Sequence, residues 1–147
     1  RKKEFMKVME KTHSKGIILS FPDKTKGKRD NWKSCKKDIQ REIKKEIDSK
    51  DWGKIVTHNP DGEYGHIHHQ MTSYIVRKDS RVDMNQLVYF GKYYRKKNMP
   101  KNLNSISSSD LKKKMKLTGM YSSQSKVMDH LGHMLPHENW VKAKDWR

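Results

Sequence analysis

Short apolar runs alternate with amphipathic segments along this chain, and the alternation constrains the fold more than any other feature. Three runs are short and apolar enough to be strands: 16–21 (GIILSF), 54–57 (KIVT) and 86–94 (QLVYFGKYY). Apolar residues recur with helical periodicity in three other segments: 2–14, 32–49 and 66–78. A chain that alternates strands and helices usually builds a parallel sheet covered by helices. The sequence therefore predicts an α/β fold of the Rossmann-like class.

The clearest helix signal lies in the segment 32–49. Its apolar residues follow one another at steps of three and four, which places them on one stripe of a helix. They are Trp32, Cys35, Ile39, Ile43 and Ile47. In the segment 66–78 the same periodicity turns Met71, Tyr74 and Ile75 inward. We expect both helices to bury one face against the sheet.

Beyond the third run, the sequence predicts a polar loop over 96–109 and helices over 110–118 and 123–135. Gly91, inside a strand-forming run, indicates a bulge or a close backbone approach. Trp140 and Trp146 indicate that the tail packs down. The basic, turn-rich segment 22–31 is expected to be an exposed loop.

Composition favours one folded domain over 1–147. A chain of 147 residues can bury roughly 68% of the surface that its unfolded form exposes. Hydrophobic residues make up 32% of it, which is lean but not low enough to predict disorder. The single cysteine, Cys35, excludes an internal disulfide and favours a reducing compartment. No apolar run approaches the roughly 20 residues of a membrane span, so we expect a soluble protein without a transmembrane segment.

The net charge of +17 attracts anionic partners in general. One hypothesis is therefore a non-catalytic basic protein that binds nucleic acid or anionic lipid, and KYYRKK (92–97) is its best local support. The simplest interpretation of the lysine runs, however, is that they are solvated faces of helices. Nucleic acid is not the favoured partner, and neither P-loop nor dinucleotide-binding motifs occur in the chain.

The candidate site is the segment 57–69, THNPDGEYGHIHH, which leaves a predicted strand and enters a predicted helix. Ligands of α/β sheets bind beyond the carboxyl ends of the strands. His66 and His69 are three residues apart at the start of that helix, so they share a face and could converge on one metal ion or substrate. A helix N-terminus favours the neutral imidazole that zinc requires. His68 points elsewhere and is expected to be solvated.

Spacing alone leaves the alternative that His66 and His69 are an ordinary pair in a histidine-rich chain. A second group, His130, His133 and His137, has steps of three and four. A metal site is possible there too. Apolar neighbours such as Leu131 and Leu135 favour a role at the surface or at the edge of a core instead.

The stretch VTHNPDGEYGHIHH (56–69) resembles the second sequence block of the PIG-L/LmbE-like family of zinc-dependent N-acetylglucosaminyl deacetylases, which has a glycine, a histidine, two residues and a second histidine. The segment KLTGMYSSQ (116–124) resembles a later family segment, and RKKEF (1–5) resembles the helix that follows the family's second strand. The resemblance implies the C-terminal portion of a hydrolase that removes the acetyl group from an N-acetylglucosamine-containing substrate. By the same resemblance, the cofactor is Zn²⁺.

The resemblance also implies roles for three residues. His69 would be a zinc ligand. His66 would polarise the acetamide carbonyl and later stabilise or protonate the tetrahedral intermediate, and Tyr64 would assist at the oxyanion. Such a site combines a Lewis acid with a hydrogen-bond donor aimed at the developing charge.

The chain departs from the family pattern in two ways. The HPDD-type motif that supplies the family's other zinc ligands and its general base does not occur in the sequence. Either the first β-α-β portion of the domain is missing, or the chain is a degenerate relative, and we expect no activity from this chain alone. In addition, Ile67 and His68 stand where many members have a proline and an aspartate that orients the first histidine.

Overall fold

The computed structural model describes all 147 residues and has a mixed α/β architecture, so the predicted α/β class is confirmed. The helices are α1 (Lys2–Lys11), α2 (Lys36–Asp48), α3 (Gly62–Gly65), α4 (Ile67–Lys78), α5 (Ser108–Thr118) and α6 (Ser125–Leu131). The strands are β1 (Lys24–Thr25), β2 (Lys28–Arg29), β3 (Ile55–Thr57), β4 (Leu87–Phe90) and β5 (Trp140–Lys142). No helix is both long and apolar enough to span a bilayer.

The chain forms two compact units. The helical unit comprises Arg1–Ile18 and Tyr94–Glu138 and contains α1, α5 and α6. The sheet unit comprises Leu19–Tyr93 and Asn139–Arg147 and contains every strand together with α2, α3 and α4. The expectation of a single domain over 1–147 stays a prediction.

The main sheet has three strands in the order β3–β4–β5 and mixes two directions. β3 runs parallel to β4, whereas β5 runs antiparallel to β4, so the predicted parallel sheet is confirmed for β3 and β4 and wrong for β5. The core of the sheet unit lies on the central strand, where Leu87 and Tyr89 are fully buried against Val76 of α4 and Ala143. Trp146 packs edge-on against Tyr89 at 5.7 Å, so the predicted packing of the tail is confirmed for this residue.

The amphipathic stripes predicted for α2 and α4 are confirmed in part, but α2 begins at Lys36, so the placement of Trp32 on its stripe was wrong: Trp32 precedes the helix at a positive φ of 56°. Ile39 and Ile47 of α2 are buried, as is Ile75 of α4. Tyr74 was wrongly expected to face inward: it is 44% exposed, and the Lys36 ammonium lies 5.0 Å from the centre of its ring. An aromatic face can be solvated and still hold a cation in this way.

The strand predicted at 16–21 is absent from the structure, and this prediction was wrong. The segment has no regular secondary structure, and Ile17, Ile18 and Leu19 are exposed. No other strand pairs with the run, so its backbone groups have no ladder to join. The boundary between the two units also falls inside it.

In the helical unit, the predicted helices form with shifted ends. α5 begins after Ser107, whose hydroxyl accepts a hydrogen bond from the Asp110 N–H at 3.1 Å, which is ordinary N-capping. α6 is shorter than predicted and continues as a 3₁₀ turn over Gly132–Met134. The Glu4 carboxylate of α1 accepts hydrogen bonds from the Ser123 N–H and the Ser122 hydroxyl at 2.8 Å each.

Gly91 ends β4 where the backbone of Asn139 passes close by. A Cβ atom at Gly91 would lie 2.3 Å from the carbonyl oxygen of Asn139, which is far inside van der Waals contact. The close backbone approach predicted from the sequence is therefore confirmed.

Candidate metal centre

Asn59 ties the loop that follows β3 to the end of β4. Its side-chain amide donates hydrogen bonds to the carbonyl oxygens of Phe90 and Gly91 at 3.1 Å each. Its side-chain oxygen accepts from the Glu63 N–H at 3.1 Å, and its own N–H donates to the Glu63 carboxylate at 3.0 Å. Because Asn59 is only 1% exposed, this exchange fixes Glu63 relative to the sheet.

The backbone between β3 and α4 turns through three positive φ angles. They belong to Gly62 (69°), Glu63 (57°) and Gly65 (85°). Glycine adopts such angles without strain, whereas a glutamate there is strained by ~1–3 kcal/mol. The reciprocal hydrogen bonds with Asn59 offset this cost and hold Glu63 in place.

The Glu63 carboxylate bridges two imidazoles. Its Oε2 atom lies 3.0 Å from Nδ1 of His58 and 2.5 Å from Nδ1 of His69. The two rings stack with centroids 3.7 Å apart and planes 8° from parallel. A carboxylate can only accept, so each Nδ1 donates, and a neutral imidazole then keeps its lone pair on Nε2.

The electrostatics of the bridge keep Glu63 ionised. Burial raises the pKa of its carboxyl, but hydrogen bonds from His58, from His69 and from the Asn59 N–H outweigh burial and lower the pKa to about 2. The carboxylate is therefore charged at neutral pH and acts only as an acceptor.

The low pKa of Glu63 predicts a loss of stability in acid. The folded-state pKa of about 2 lies below the ordinary value of 4.5, so the stabilisation is complete above pH 4.5 and is lost as the pH falls towards 2. Its upper bound is about 3 kcal/mol. All four tryptophans lie in the sheet unit, so denaturant unfolding followed by tryptophan fluorescence reports on it. Glu63→Gln should flatten this pH dependence, and equal slopes in both proteins would contradict the prediction.

His66 and His69 converge, as their spacing predicted. Their ring centroids are 4.4 Å apart with planes tilted by 33°. His66 is the residue immediately before α4, and its Nδ1 is buried without a hydrogen-bond partner. Burial, followed by the charges of His69 and Arg29, lowers the pKa of His66, so its imidazole is neutral at neutral pH.

Tyr64 lies at the exposed edge of the histidine pair. Its side chain is 53% exposed, and its ring makes edge contacts with His69 at 5.5 Å and His66 at 5.9 Å. Partial burial and the neighbouring Glu63 carboxylate raise the pKa of the hydroxyl, so it keeps its proton. The structure thus brings the three predicted site residues together, while their catalytic and metal-binding roles stay predictions.

His68 is buried, so the expectation that it is solvated was wrong. Only 7% of the residue is exposed. Its ring stacks on Trp32 with centroids 3.9 Å apart and planes 2° from parallel, and its Nε2 lies 2.6 Å from the carbonyl oxygen of Asp30. The hairpin segment, residues 23–32, contains the exposed strands β1 and β2 and covers this face of α4. The spacing of residues within one helix could not reveal this contact.

Two groups of side chains could hold a metal ion: His58 with Glu63 and His69, and Asp23 with His66 and His68. Within each group the ligand atoms lie within 4.8 Å of one another. Sequence reasoning missed four of these residues: Asp23, His58, Glu63 and His68, the last of which was expected to be solvated. His58 directly follows β3, and that position was a usable signal, whereas Asp23 is brought in by tertiary structure.

Comparisons with known proteins add nothing to this geometry. A scan against protein-family models, a search of curated proteins and a search of solved structures each found no match. The resemblance to PIG-L/LmbE deacetylases therefore stays a prediction.

The second histidine group does not converge. His133 Nε2 lies 2.8 Å from the Tyr94 carbonyl oxygen, and His137 Nδ1 lies 3.1 Å from that of Asn104. His133 and His137 therefore pair with the backbone of the helical unit, and the three histidines form no cluster of metal-ligand atoms. This agrees with the structural role favoured by their apolar neighbours.

Within the sheet unit, the basic stretch KYYRKK is partly engaged in packing. The ammonium of Lys92 lies 5.8 Å from the centre of the Trp146 ring, and Tyr93 packs edge-on against Tyr64 at 5.7 Å. Binding of nucleic acid or anionic lipid through this stretch stays a prediction.

Proposed function

We propose that this chain carries the metal centre of a zinc-dependent hydrolase that removes the acetyl group from an N-acetylglucosamine-containing substrate. One observation carries the proposal: a single Glu63 oxygen holds the Nδ1 atoms of both His58 and His69. Metal-binding histidines typically donate one ring N–H to a carboxylate and bind the ion through the other nitrogen. The Rossmann-like class and the PIG-L/LmbE resemblance belong to the same proposal.

The donor set suits zinc. Imidazole nitrogens are common zinc ligands, and a carboxylate commonly accepts the hydrogen of their other ring nitrogen. His58 and His69 would hold the ion through Nε2, while Glu63 would orient both rings. Zinc bound there would acidify a water molecule and polarise the acetamide carbonyl. In this proposal His58 is a second ligand beside His69, which the family resemblance nominated.

His66 and Tyr64 would act on the substrate carbonyl. The neutral His66 imidazole carries one N–H, and with Nδ1 enclosed the nitrogen that faces the substrate would be Nε2. The protonated hydroxyl of Tyr64 is a second donor at the exposed edge of the cluster. Donors held at the position where a carbonyl oxygen becomes negatively charged stabilise its transition state.

Exposed aromatic rings next to the cluster suit a sugar. Phe90 packs edge-on against His58 at 5.6 Å and is itself exposed, as is Tyr64. The C–H face of a pyranose ring packs against such apolar surfaces. A substrate held this way would present its acetamide to the histidines.

The test is a binding and turnover measurement on the whole chain. We expect the zinc-loaded protein to bind N-acetylglucosamine more tightly than glucosamine in calorimetric titrations, because only the former carries the acetamide carbonyl. His69→Asn should lower the affinity for the zinc ion held by His58 and His69 by about 100-fold or more. Loss of a ligand weakens metal binding at least as much as loss of the group that orients the ligand. Acetate release is measured in parallel, and we expect none from this chain alone.

The matched control is His13→Asn, an exposed histidine at a positive φ of 52° that asparagine tolerates. It should leave zinc and sugar binding unchanged. Equal affinity for the two sugars, or a zinc stoichiometry and affinity that His69→Asn leaves unchanged, would overturn the proposed function. Zinc-dependent acetate release would support the hydrolase and contradict the expected inactivity.

A further inference from the structure

We infer that the chain has a second metal site, formed by Asp23, His66 and His68, which binds a divalent transition-metal ion. The site lies beside the cluster of His58, Glu63 and His69, because His66 and His69 are in ring contact. It goes beyond the proposed hydrolase and does not depend on it, since metal binding is measurable whether or not the chain is an enzyme.

The tautomer of His68 is set by the backbone. Its Nε2 lies 2.6 Å from the Asp30 carbonyl oxygen, and a carbonyl can only accept, so Nε2 carries the hydrogen. In the neutral imidazole the lone pair is then on Nδ1. Stacking on Trp32 fixes the ring plane. A histidine that donates one N–H to a carbonyl and keeps the other nitrogen bare has the arrangement typical of a metal ligand.

The bare Nδ1 of His68 faces a carboxylate. The Asp23 Oδ1 atom lies 3.7 Å from it, which is too far for a hydrogen bond. Two ligand atoms of one tetrahedral zinc ion, each about 2.1 Å from the metal, lie about 3.4 Å apart. The observed separation is close to this value, so one cation could satisfy both atoms after a small adjustment.

His66 supplies the third ligand. Its Nδ1 is buried and has no hydrogen-bond partner, and a buried polar atom left unpaired costs ~1–3 kcal/mol. The ring lies 5.3 Å from that of His68, and the three residues have ligand atoms within 4.8 Å of one another. Binding through Nδ1 would pair this atom and leave Nε2 of His66 for a substrate.

The chemistry of the donors selects the ion. Two imidazoles and one carboxylate suit Zn²⁺, Co²⁺, Ni²⁺ or Fe²⁺, whereas Mg²⁺ and Ca²⁺ prefer oxygen ligands alone. Arg29 forms an ion pair with the same Asp23 oxygen. Its positive charge competes with a metal ion for that carboxylate, so removing it should strengthen binding.

The experiment titrates the metal-free whole chain with Co²⁺, with visible absorption and calorimetry as readouts. We expect two ions per chain. Asp23→Asn should weaken one of them by about 100-fold and leave the other unchanged. Arg29→Gln should strengthen the same ion by about tenfold, equivalent to about 1.4 kcal/mol. If Asp23 had only a structural role, Arg29→Gln would not tighten metal binding. Weaker binding in Asp23→Asn together with tighter binding in Arg29→Gln therefore identifies Asp23 as a ligand.

Asp38→Asn is the matched control, because Asp38 and Asp23 have similarly exposed side chains (51% and 57%) and each pairs with an arginine. It should change neither ion. A single ion that is lost in His69→Asn and unaffected by Asp23→Asn would overturn the second site. Binding of a single ion that is lost in Asp23→Asn would support the second site. The same result would refute the metal centre of the proposed hydrolase. Equal effects of Asp23→Asn and Asp38→Asn would show a general charge effect and also overturn the inference.

Discussion

Replacing Glu63 with glutamine should lower the affinity for the zinc ion held by His58 and His69 by about 10- to 100-fold. The Glu63 oxygen accepts hydrogen bonds from the Nδ1 atoms of His58 and His69 at once. A glutamine amide has one oxygen in place of two. Because the Asn59 N–H binds the other carboxylate oxygen at 3.0 Å, an amide oxygen that stays on Asn59 turns the NH₂ group, which donates, towards both imidazoles. An imidazole that faces this group must place its hydrogen on Nε2, and the nitrogen needed for the metal is then blocked.

Competition with a chromophoric zinc chelator measures this loss of affinity, and the ¹⁵N shifts of the imidazoles report the tautomers directly. Asp61→Asn is the matched control, because it removes a carboxylate from the same loop that is exposed and makes no ion pair with the histidines. It should bind zinc as the unaltered chain does. The role of Glu63 is wrong if both variants bind zinc equally well, or if the tautomers of His58 and His69 stay unchanged in Glu63→Gln.

The part of the site that the sequence predicted is the part that depends on local geometry. A spacing of three at the start of a helix places His66 and His69 on one face wherever that helix lies. Helix α4 forms where the apolar periodicity predicted it. The convergence of these two rings therefore required no knowledge of the rest of the molecule.

The residues that were missed depend on the conformation of the loop and on tertiary contacts. Asn59 was not among the candidate residues of the segment 57–69, yet its side chain joins β4 to Glu63. A positive φ at Glu63 could not be expected, since non-glycine residues rarely adopt one. Asp23 and His68 face each other only because the hairpin segment folds over α4.

The wrong strand at 16–21 has a related cause. An apolar run of six residues is compatible with a buried strand, but burial requires a neighbouring strand that the pattern itself does not identify. In this structure no strand pairs with it. Likewise, Tyr74 satisfies the helical period but lies at the edge of the stripe, where a lysine covers its ring.

Replacing Gly91 with alanine should destabilise the sheet unit by about 3 kcal/mol or more, because the added methyl group overlaps backbone that cannot rotate away. The new Cβ would lie 2.3 Å from the carbonyl oxygen of Asn139 and 3.0 Å from its carbonyl carbon. Relief requires β4 and the segment before β5 to separate. The Gly91 carbonyl also accepts a hydrogen bond from Asn59, so the same shift would release the residue that fixes Glu63.

Gly53→Ala is the control in the same unit, because a Cβ there meets nothing within 4 Å. It should change the free energy of unfolding by less than about 1 kcal/mol, with stabilisation the expected sign. Denaturant unfolding followed by tryptophan fluorescence compares the two variants. Zinc affinity measured below the unfolding transition should fall in Gly91→Ala and stay constant in Gly53→Ala, since only Gly91 bonds to Asn59. If Gly91→Ala were as stable as Gly53→Ala, the close packing of β4 on Asn139 would be refuted, and with it the anchoring of the metal centre to the sheet through Gly91.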